Sequence, residues 1–91
     1  MVFAIMYEIA TSKKDYSSLY ESIKSLGPWM RYFGSIWFVS PSATTTPKEI
    51  YDKIVPYIDG EKDYLLVVEF TSNYYGWLPE TAWDWIHNKG L

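Results

Sequence analysis

The charged side chains that could take part in chemistry are few, and most candidates lie in the first third of the chain. Glu8 is the single acidic residue of an apolar run over residues 2–9, Lys13 and Lys14 follow it closely, and Arg31 comes later. A carboxylate in apolar surroundings needs a partner or a shifted pKa, so Glu8 requires an explanation. The three basic residues could hold a phosphate group or be solvated loop charges, and we favour loop charges.

The other polar and aromatic side chains fit structural roles. His87 is the only histidine and comes near the end of the chain, where it suits the surface or the C-terminal end of a helix dipole. The loop serines and threonines lack the glycine pattern of a nucleophile elbow or a phosphate loop. The aromatic residues of the tail could stack nucleobases, but packing on a sheet or on a second chain is favoured. They are Tyr74, Tyr75, Trp77, Trp83 and Trp85.

Composition limits the function classes. A chain of 91 residues makes one domain, for which burial by a partner would add stability. The net charge is −3 with only 8 basic residues, which disfavours a general nucleic-acid binder. There is no cysteine and no apolar run long enough for a membrane span, so we expect a soluble cytoplasmic protein. Nine Tyr and five Trp favour a homodimer, because both types are enriched in interfaces.

The first half of the chain predicts a strand, a helix and a pair of strands. Residues 2–9 are apolar on both faces and predict a strand at the centre of a sheet. A helix is predicted from Tyr16, with Asp15 as its N-cap and Gly27 as its end. Residues 29–40 predict two neighbouring strands, although one kinked strand fits nearly as well. The apolar stripe of the helix consists of Tyr16, Leu19, Tyr20, Ile23 and Leu26.

The second half predicts a helix, a strand and a terminal helix. Residues 46–49 read Thr-Pro-Lys-Glu, a capping box with Pro at the first helical position. Pro56 predicts an irregular last turn in that helix. Residues 64–70 predict a second strand that is apolar on both faces and pairs with the first, and a short helix ends near Asn88.

The element order β-α-β-β-α-β with a C-terminal helix predicts a ferredoxin-like α+β sandwich, a single domain over residues 1–91. Its helices cover one face of the sheet, which we predict to carry Phe3, Ile5, Tyr7, Leu66, Val68 and Phe70. The opposite face is too apolar to remain exposed to solvent. The tail, residues 72–91, or a second protomer must therefore cover it. The predicted interface residues are Ala4, Met6, Leu65, Val67, Trp77 and Trp83.

Four stretches carry a family resemblance over nearly the whole chain. Residues 7–9 (Tyr-Glu-Ile) and 34–39 (Gly-Ser-Ile-Trp-Phe-Val), together with the apolar last strand, resemble small ferredoxin-like proteins that include the second CRISPR adaptation subunit and virulence-associated protein D. Residues 73–79 (Asn-Tyr-Tyr-Gly-Trp-Leu-Pro) followed by Ala82 and Trp83 resemble the SinR-like subgroup. The resemblance implies a homodimer. For some members it also implies metal-dependent endonuclease activity.

The resemblance places a metal-ligating Asp of the family at the position of Glu8. Glu can ligate Mg²⁺, but its extra methylene displaces the carboxylate, and octahedral Mg²⁺ tolerates misplacement badly. Our leading hypothesis is therefore a homodimeric, non-catalytic module that binds a protein partner, with no cofactor. One alternative is an Mg²⁺- or Mn²⁺-dependent endoribonuclease with paired Glu8 carboxylates at the dimer axis and Lys13, Lys14 or Arg31 on phosphate. A further alternative is a nucleic-acid-binding scaffold, and Glu8 could instead cap a loop or pair with Arg31.

Overall fold

The computed structural model describes residues 1–10 and 16–91, which form a small α+β structure. The strands form one antiparallel sheet in the order β2-β3-β1-β4, so β1 lies between two neighbours, as its apolar sequence predicts. This arrangement is compatible with a ferredoxin-like fold. The strands are β1 (Val2–Glu8), β2 (Trp29–Phe33), β3 (Ile36–Val39) and β4 (Tyr64–Phe70), and the helices are α1 (Ser17–Lys24), α2 (Pro47–Ile54) and α3 (Glu80–Asn88).

The predicted first helix is confirmed as α1, with its apolar stripe facing the sheet. Leu19 and Ile23 are fully buried, and Tyr16 precedes the helix without a side-chain cap. The predicted N-cap, Asp15, lies outside the described residues. Gly27 has φ +151°, a conformation that side-chain-bearing residues rarely adopt, and it turns the chain from the helix into β2.

The start and the irregular end of α2 follow the sequence prediction. The Thr46 hydroxyl accepts a hydrogen bond from the Glu49 amide at 3.2 Å, and Pro47 is the first helical residue. The helix ends at Ile54 and continues as a 3₁₀ turn over Val55–Tyr57, because Pro56 has no amide hydrogen to donate.

The two strands predicted within residues 29–40 are confirmed as β2 and β3. They pair in antiparallel fashion, with an irregularity of register between Met30 and Phe33. The irregularity inserts an extra residue into β2 and bends this edge of the sheet.

The predicted assignment of β4 side chains to the two faces is wrong. Tyr7 lies opposite Leu65 and Ile5 opposite Val67, and directly opposed residues of an antiparallel pair point to the same side. Leu65 and Val67 therefore face the helices α1 and α2, and Leu66, Val68 and Phe70 face the other way. Residues 64–68 are all apolar, so they show no alternation of polar and apolar residues. The sequence therefore does not reveal which of these side chains face the helices.

The sheet carries a core on each face. The inner core lies between the sheet and the helices α1 and α2, and the outer core lies between the sheet and α3. The tail thus packs on the sheet of its own chain, one of the two predicted possibilities. None of the helices in residues 1–10 and 16–91 is long and apolar enough to cross a membrane. Fully buried inner-core residues include Phe3, Ile5, Leu19, Ile23, Ile50 and Ile54, and the outer core contains Val2, Ala4, Met30, Phe38, Ala82 and Ile86.

The turn at Gly27 should tolerate no side chain. A Cβ at Gly27 would overlap the Ser40 carbonyl oxygen, and the φ of +151° would add backbone strain. We expect Gly27→Ala to lower the free energy of unfolding, measured by urea denaturation, by roughly 1–3 kcal/mol or more. The matched control is Gly60→Ala, because nothing lies within 4 Å of a Cβ at Gly60. Equal effects of the two substitutions would contradict this account.

Candidate functional site

A cleft among the described residues lies at the C-terminal end of β1, and we call it the β1 cleft. It has a volume of about 710 Å³, a size common for small-molecule sites. The end of β1, the turn between β2 and β3, the start of β4 and one residue of α1 form its walls. It brings two of the predicted site residues, Glu8 and Arg31, into one place. The lining residues are Met6, Tyr7, Glu8, Ile9, Tyr20, Arg31, Gly34, Ser35, Ile36, Tyr64, Leu65 and Leu66.

Arg31 is exposed but held in position from two sides. Its Nε donates to the Gly34 carbonyl oxygen at 3.0 Å, and its Nη2 donates to the same atom. Its guanidinium carbon lies 4.9 Å from the ring centroid of Tyr20 and 4.8 Å from that of Trp37. These contacts restrict the side chain to one orientation. The guanidinium keeps further N–H groups with which it could bind an anion.

Glu8 is exposed and forms no ion pair with Arg31 in the described structure. The described structure does not show the alternative of an ion pair between these two residues, which stays a prediction. Glu69 is exposed as well, so neither carboxylate requires a buried partner. No group of three or more His, Cys, Asp or Glu residues that could hold a metal ion occurs within residues 1–10 and 16–91. Glu8 therefore belongs to no such group among the described residues.

Tyr7 connects the β1 cleft to the inner core. The Trp37 Nε1 donates a hydrogen bond of 2.9 Å to the Tyr7 hydroxyl oxygen. Burial raises the pKa of Tyr7 above its ordinary value, and the Trp37 hydrogen bond and the charge of Arg31 oppose that rise. The phenol is therefore neutral at physiological pH and suited to packing and hydrogen bonding.

The predicted phosphate-binding group is only partly placed by the structure. Lys13 and Lys14 lie outside the described residues, so their proximity to Arg31 stays a prediction. Arg31 itself lines the β1 cleft together with Glu8. Among the described lining residues the formal charges are one positive and one negative, which does not favour a phosphate dianion.

The predicted interface residues fall into several different environments. Ala4 is buried beneath α3 of the same chain, and Leu65 and Val67 pack against the inner core, so these three do not form an exposed apolar surface. Met6 is half-buried at the uncovered end of the outer face. Trp77 is 97 % exposed, whereas Trp83 is half-buried against the outer core.

Part of the outer face remains uncovered, because α3 packs over only one end of it. Tyr64 is 72 % exposed, Leu66 57 % and Val68 36 %, and half-buried Met6 lies opposite Leu66. We call Met6, Tyr64, Leu66 and Val68 the outer patch. Glu8 lies opposite Tyr64 and so borders this patch. Sequence reasoning found this face but assigned the wrong β4 residues to it.

Three of the five aromatic residues of the tail pack on the sheet, as expected, namely Tyr74, Trp83 and Trp85, whereas Tyr75 and Trp77 are almost fully exposed. Phe70 and Tyr74 stack with centroids 5.0 Å apart, and the stack continues to Trp83 at 5.9 Å and to His87 at 6.4 Å. His87 is exposed and lies in the last turn of α3. These contacts give it a place on the helix surface, consistent with the structural role predicted for it.

Sequence reasoning missed a buried carboxylate, Asp63. Its Oδ1 accepts a hydrogen bond from the Ala10 amide at 2.9 Å, and its Oδ2 accepts from the Tyr16 hydroxyl at 2.7 Å and the Asp59 amide at 3.0 Å. These bonds tie the end of β1, the start of α1 and the turn before β4 together. The sequence offered one signal, an acidic residue directly before an apolar strand. This signal does not distinguish an exposed turn residue from a buried carboxylate that accepts several hydrogen bonds.

Comparisons with known proteins add no relative. No family model, no curated protein and no solved structure matches the chain. The resemblance seen in the sequence therefore remains an expectation.

Because of the Tyr16–Asp63 contact, we expect the free energy of unfolding to fall as the pH becomes strongly alkaline. Burial and the hydrogen bond to Asp63 raise the pKa of Tyr16 to about 12 from the model-peptide value of 10.0. A folded pKa above the unfolded one gives a stabilisation that is complete below pH 10 and is lost as the pH rises towards 12. We expect the difference in free energy of unfolding between wild type and Tyr16→Phe to shrink between pH 10 and pH 12.

The control for this experiment is a core variant without a titratable group. Ile23 is fully buried, so Ile23→Val lowers stability through packing alone. Its difference from wild type should stay constant over the same pH range. A constant difference for Tyr16→Phe as well would show that the Asp63 contact does not control the ionisation of Tyr16.

Proposed function

We propose that the chain is a homodimeric, non-catalytic interaction module of the ferredoxin-like class, whose dimer binds a protein partner. The element order and the strand order β2-β3-β1-β4 support the ferredoxin-like assignment. The outer patch carries the functional part of the proposal, because it is apolar, continuous and left uncovered by the helices of its own chain.

A second copy of the chain whose own outer patch lies beside this one would enlarge it into a site for the protein partner. Tyr64, Leu66 and Val68 expose large apolar surface, which a small domain rarely leaves uncovered without a binding role. The patch contains no charged residue and Glu8 only borders it, so two copies can meet there without burying like charges. A 91-residue chain also gains stability from added burial.

The contacts within the β1 cleft support a non-catalytic role. The Arg31 guanidinium is engaged by the Gly34 carbonyl and two aromatic rings, and the Tyr7 hydroxyl accepts the Trp37 indole N–H. These polar groups stabilise the end of the sheet. The net charge of −3 favours a protein partner over a nucleic acid.

The first test of the proposal is the mass of the protein in solution. We expect light scattering after gel filtration to give twice the 10.7 kDa of a single chain. Leu66→Lys should raise the dimer dissociation constant by at least about tenfold, because its ammonium would lie against the apolar outer patch of the second copy. Tyr51→Lys is the matched control, since Tyr51 is 40 % exposed on α2, away from the patch. A wild-type monomer would refute the proposed homodimer.

A metal-dependent endoribonuclease is the second candidate, and one observation favours it. Glu8 borders the outer patch, so a dimer formed through that patch would bring the Glu8 carboxylates of both chains towards the same interface. Paired carboxylates are suitable ligands for Mg²⁺ or Mn²⁺. Arg31 of the β1 cleft would then lie near the phosphate of the substrate.

The two candidates differ in their response to a change at Glu8. For the leading proposal we expect no metal-stimulated cleavage of labelled single-stranded RNA, in Mg²⁺ or in Mn²⁺, by wild type or by Glu8→Gln. Cleavage by wild type that requires the metal and is lost in Glu8→Gln would instead establish the endoribonuclease. Glu69→Gln is the control, because Glu69 is an exposed carboxylate of β4 on the opposite face of the sheet.

A further inference from the structure

We infer that β4 pairs edge to edge with β4 of a second copy, in antiparallel orientation, to form a continuous eight-stranded sheet. The inference rests on the proposed homodimer and adds its geometry. It starts from the position of β4 at one edge of the sheet, with β1 as its only neighbour among the described strands.

The backbone of β4 has free hydrogen-bonding groups along its outer edge. All seven residues of β4 pair with β1 in a regular register. In the described part of the chain, none of the backbone hydrogen bonds outside helices and strands involves residues 64–70. Among the described residues, that side of the strand therefore carries no backbone hydrogen bond over its length, which is about 24 Å at 3.4 Å per residue.

β4 also has fewer of the features that normally protect an edge strand than β2 has. Natural edge strands carry lysine, proline or a bulge that discourages pairing with another chain. In β4 the single charged residue is Glu69, and the strand contains no proline and no shift of register. The opposite edge, β2, contains Arg31 and an irregular register. This difference singles out β4 as the edge available for pairing.

The charge pattern and length of β4 select one register for the pairing. A two-fold axis perpendicular to the sheet keeps each face on its own side, so the axis must pass beside a residue of β4. With the axis at Val67, all seven residues pair, and Glu69 lies opposite Leu65 of the partner subunit. An axis at Leu66 would place Glu69 opposite Asp63 of the partner subunit, which brings like charges together.

The selected register also joins the two outer patches. Leu66 would lie beside Val68 of the partner subunit, and Tyr64 beside Phe70 of the partner subunit, on the same face of the extended sheet. Such aliphatic and aromatic cross-strand pairs stabilise a sheet. The result is one apolar surface formed by both chains, which offers a protein partner a larger site than either chain alone.

The test uses disulfide formation, because the chain contains no cysteine of its own. Under mild oxidation, most Val67→Cys chains should shift to the covalent dimer, since Val67 lies at the axis. Leu65→Cys and Glu69→Cys should form few disulfides alone and many heterodimers when mixed. Tyr32→Cys gives the background from random collisions, because Tyr32 is exposed on β2, at the opposite edge of the sheet. Far-UV circular dichroism confirms that each variant is folded.

A different dimer would give a different cross-linking pattern. If wild type is dimeric and Leu66→Cys forms the disulfide, while Val67→Cys and the mixture do not, the two sheets pack face to face. That result would overturn the edge pairing and leave the proposed homodimer intact. If wild type is monomeric, the homodimer and the edge pairing both fail.

Discussion

The strand β1 is apolar on both faces, and this property requires a protein layer on each side of the sheet. The inner layer consists of α1 and α2, which bury Phe3 and Ile5 completely. The outer layer is α3, which covers Val2 and Ala4. Because α3 has only nine residues, it cannot cover the whole outer face. The uncovered remainder is the outer patch. The chain therefore exposes apolar surface because β1 is apolar on its outer face as well and α3 covers only part of that face.

Polar contacts hold the ends of the elements around this strand. Asp63 connects the Ala10 amide, the Tyr16 hydroxyl and the Asp59 amide, and thereby links the end of β1 to α1 and to the start of β4. A buried carboxylate needs such donors to offset the loss of hydration. On the other side of the same strand end, Arg31 is positioned by Gly34 and by two rings. These two groups of contacts give the β1 cleft a defined shape.

Local sequence signals predicted most of the elements, because each acts over a few residues. The Thr46 cap, the break at Pro56 and the turn at Gly27 all depend on backbone chemistry that the residue type determines. Long-range features were harder to predict. The faces of Leu65 and Leu66 depend on the register with β1, and an apolar run on both faces leaves that register open. The role of Asp63 depends on donors that are distant in sequence, such as Tyr16.

The position of Glu8 relates the outer patch to the two candidate functions. A carboxylate at the border of an apolar interface retains its hydration when it faces solvent, and loses it when the partner covers it. In an edge-to-edge dimer the Glu8 side chains remain on the outer face, on separate β1 strands with the two β4 strands between them. Three strand spacings separate the two Glu8 positions by about 14 Å or more. One metal ion cannot bind both carboxylates directly over that distance. Edge pairing and a shared metal at Glu8 are thus mutually exclusive, so the dimer geometry bears directly on whether this chain can be an enzyme.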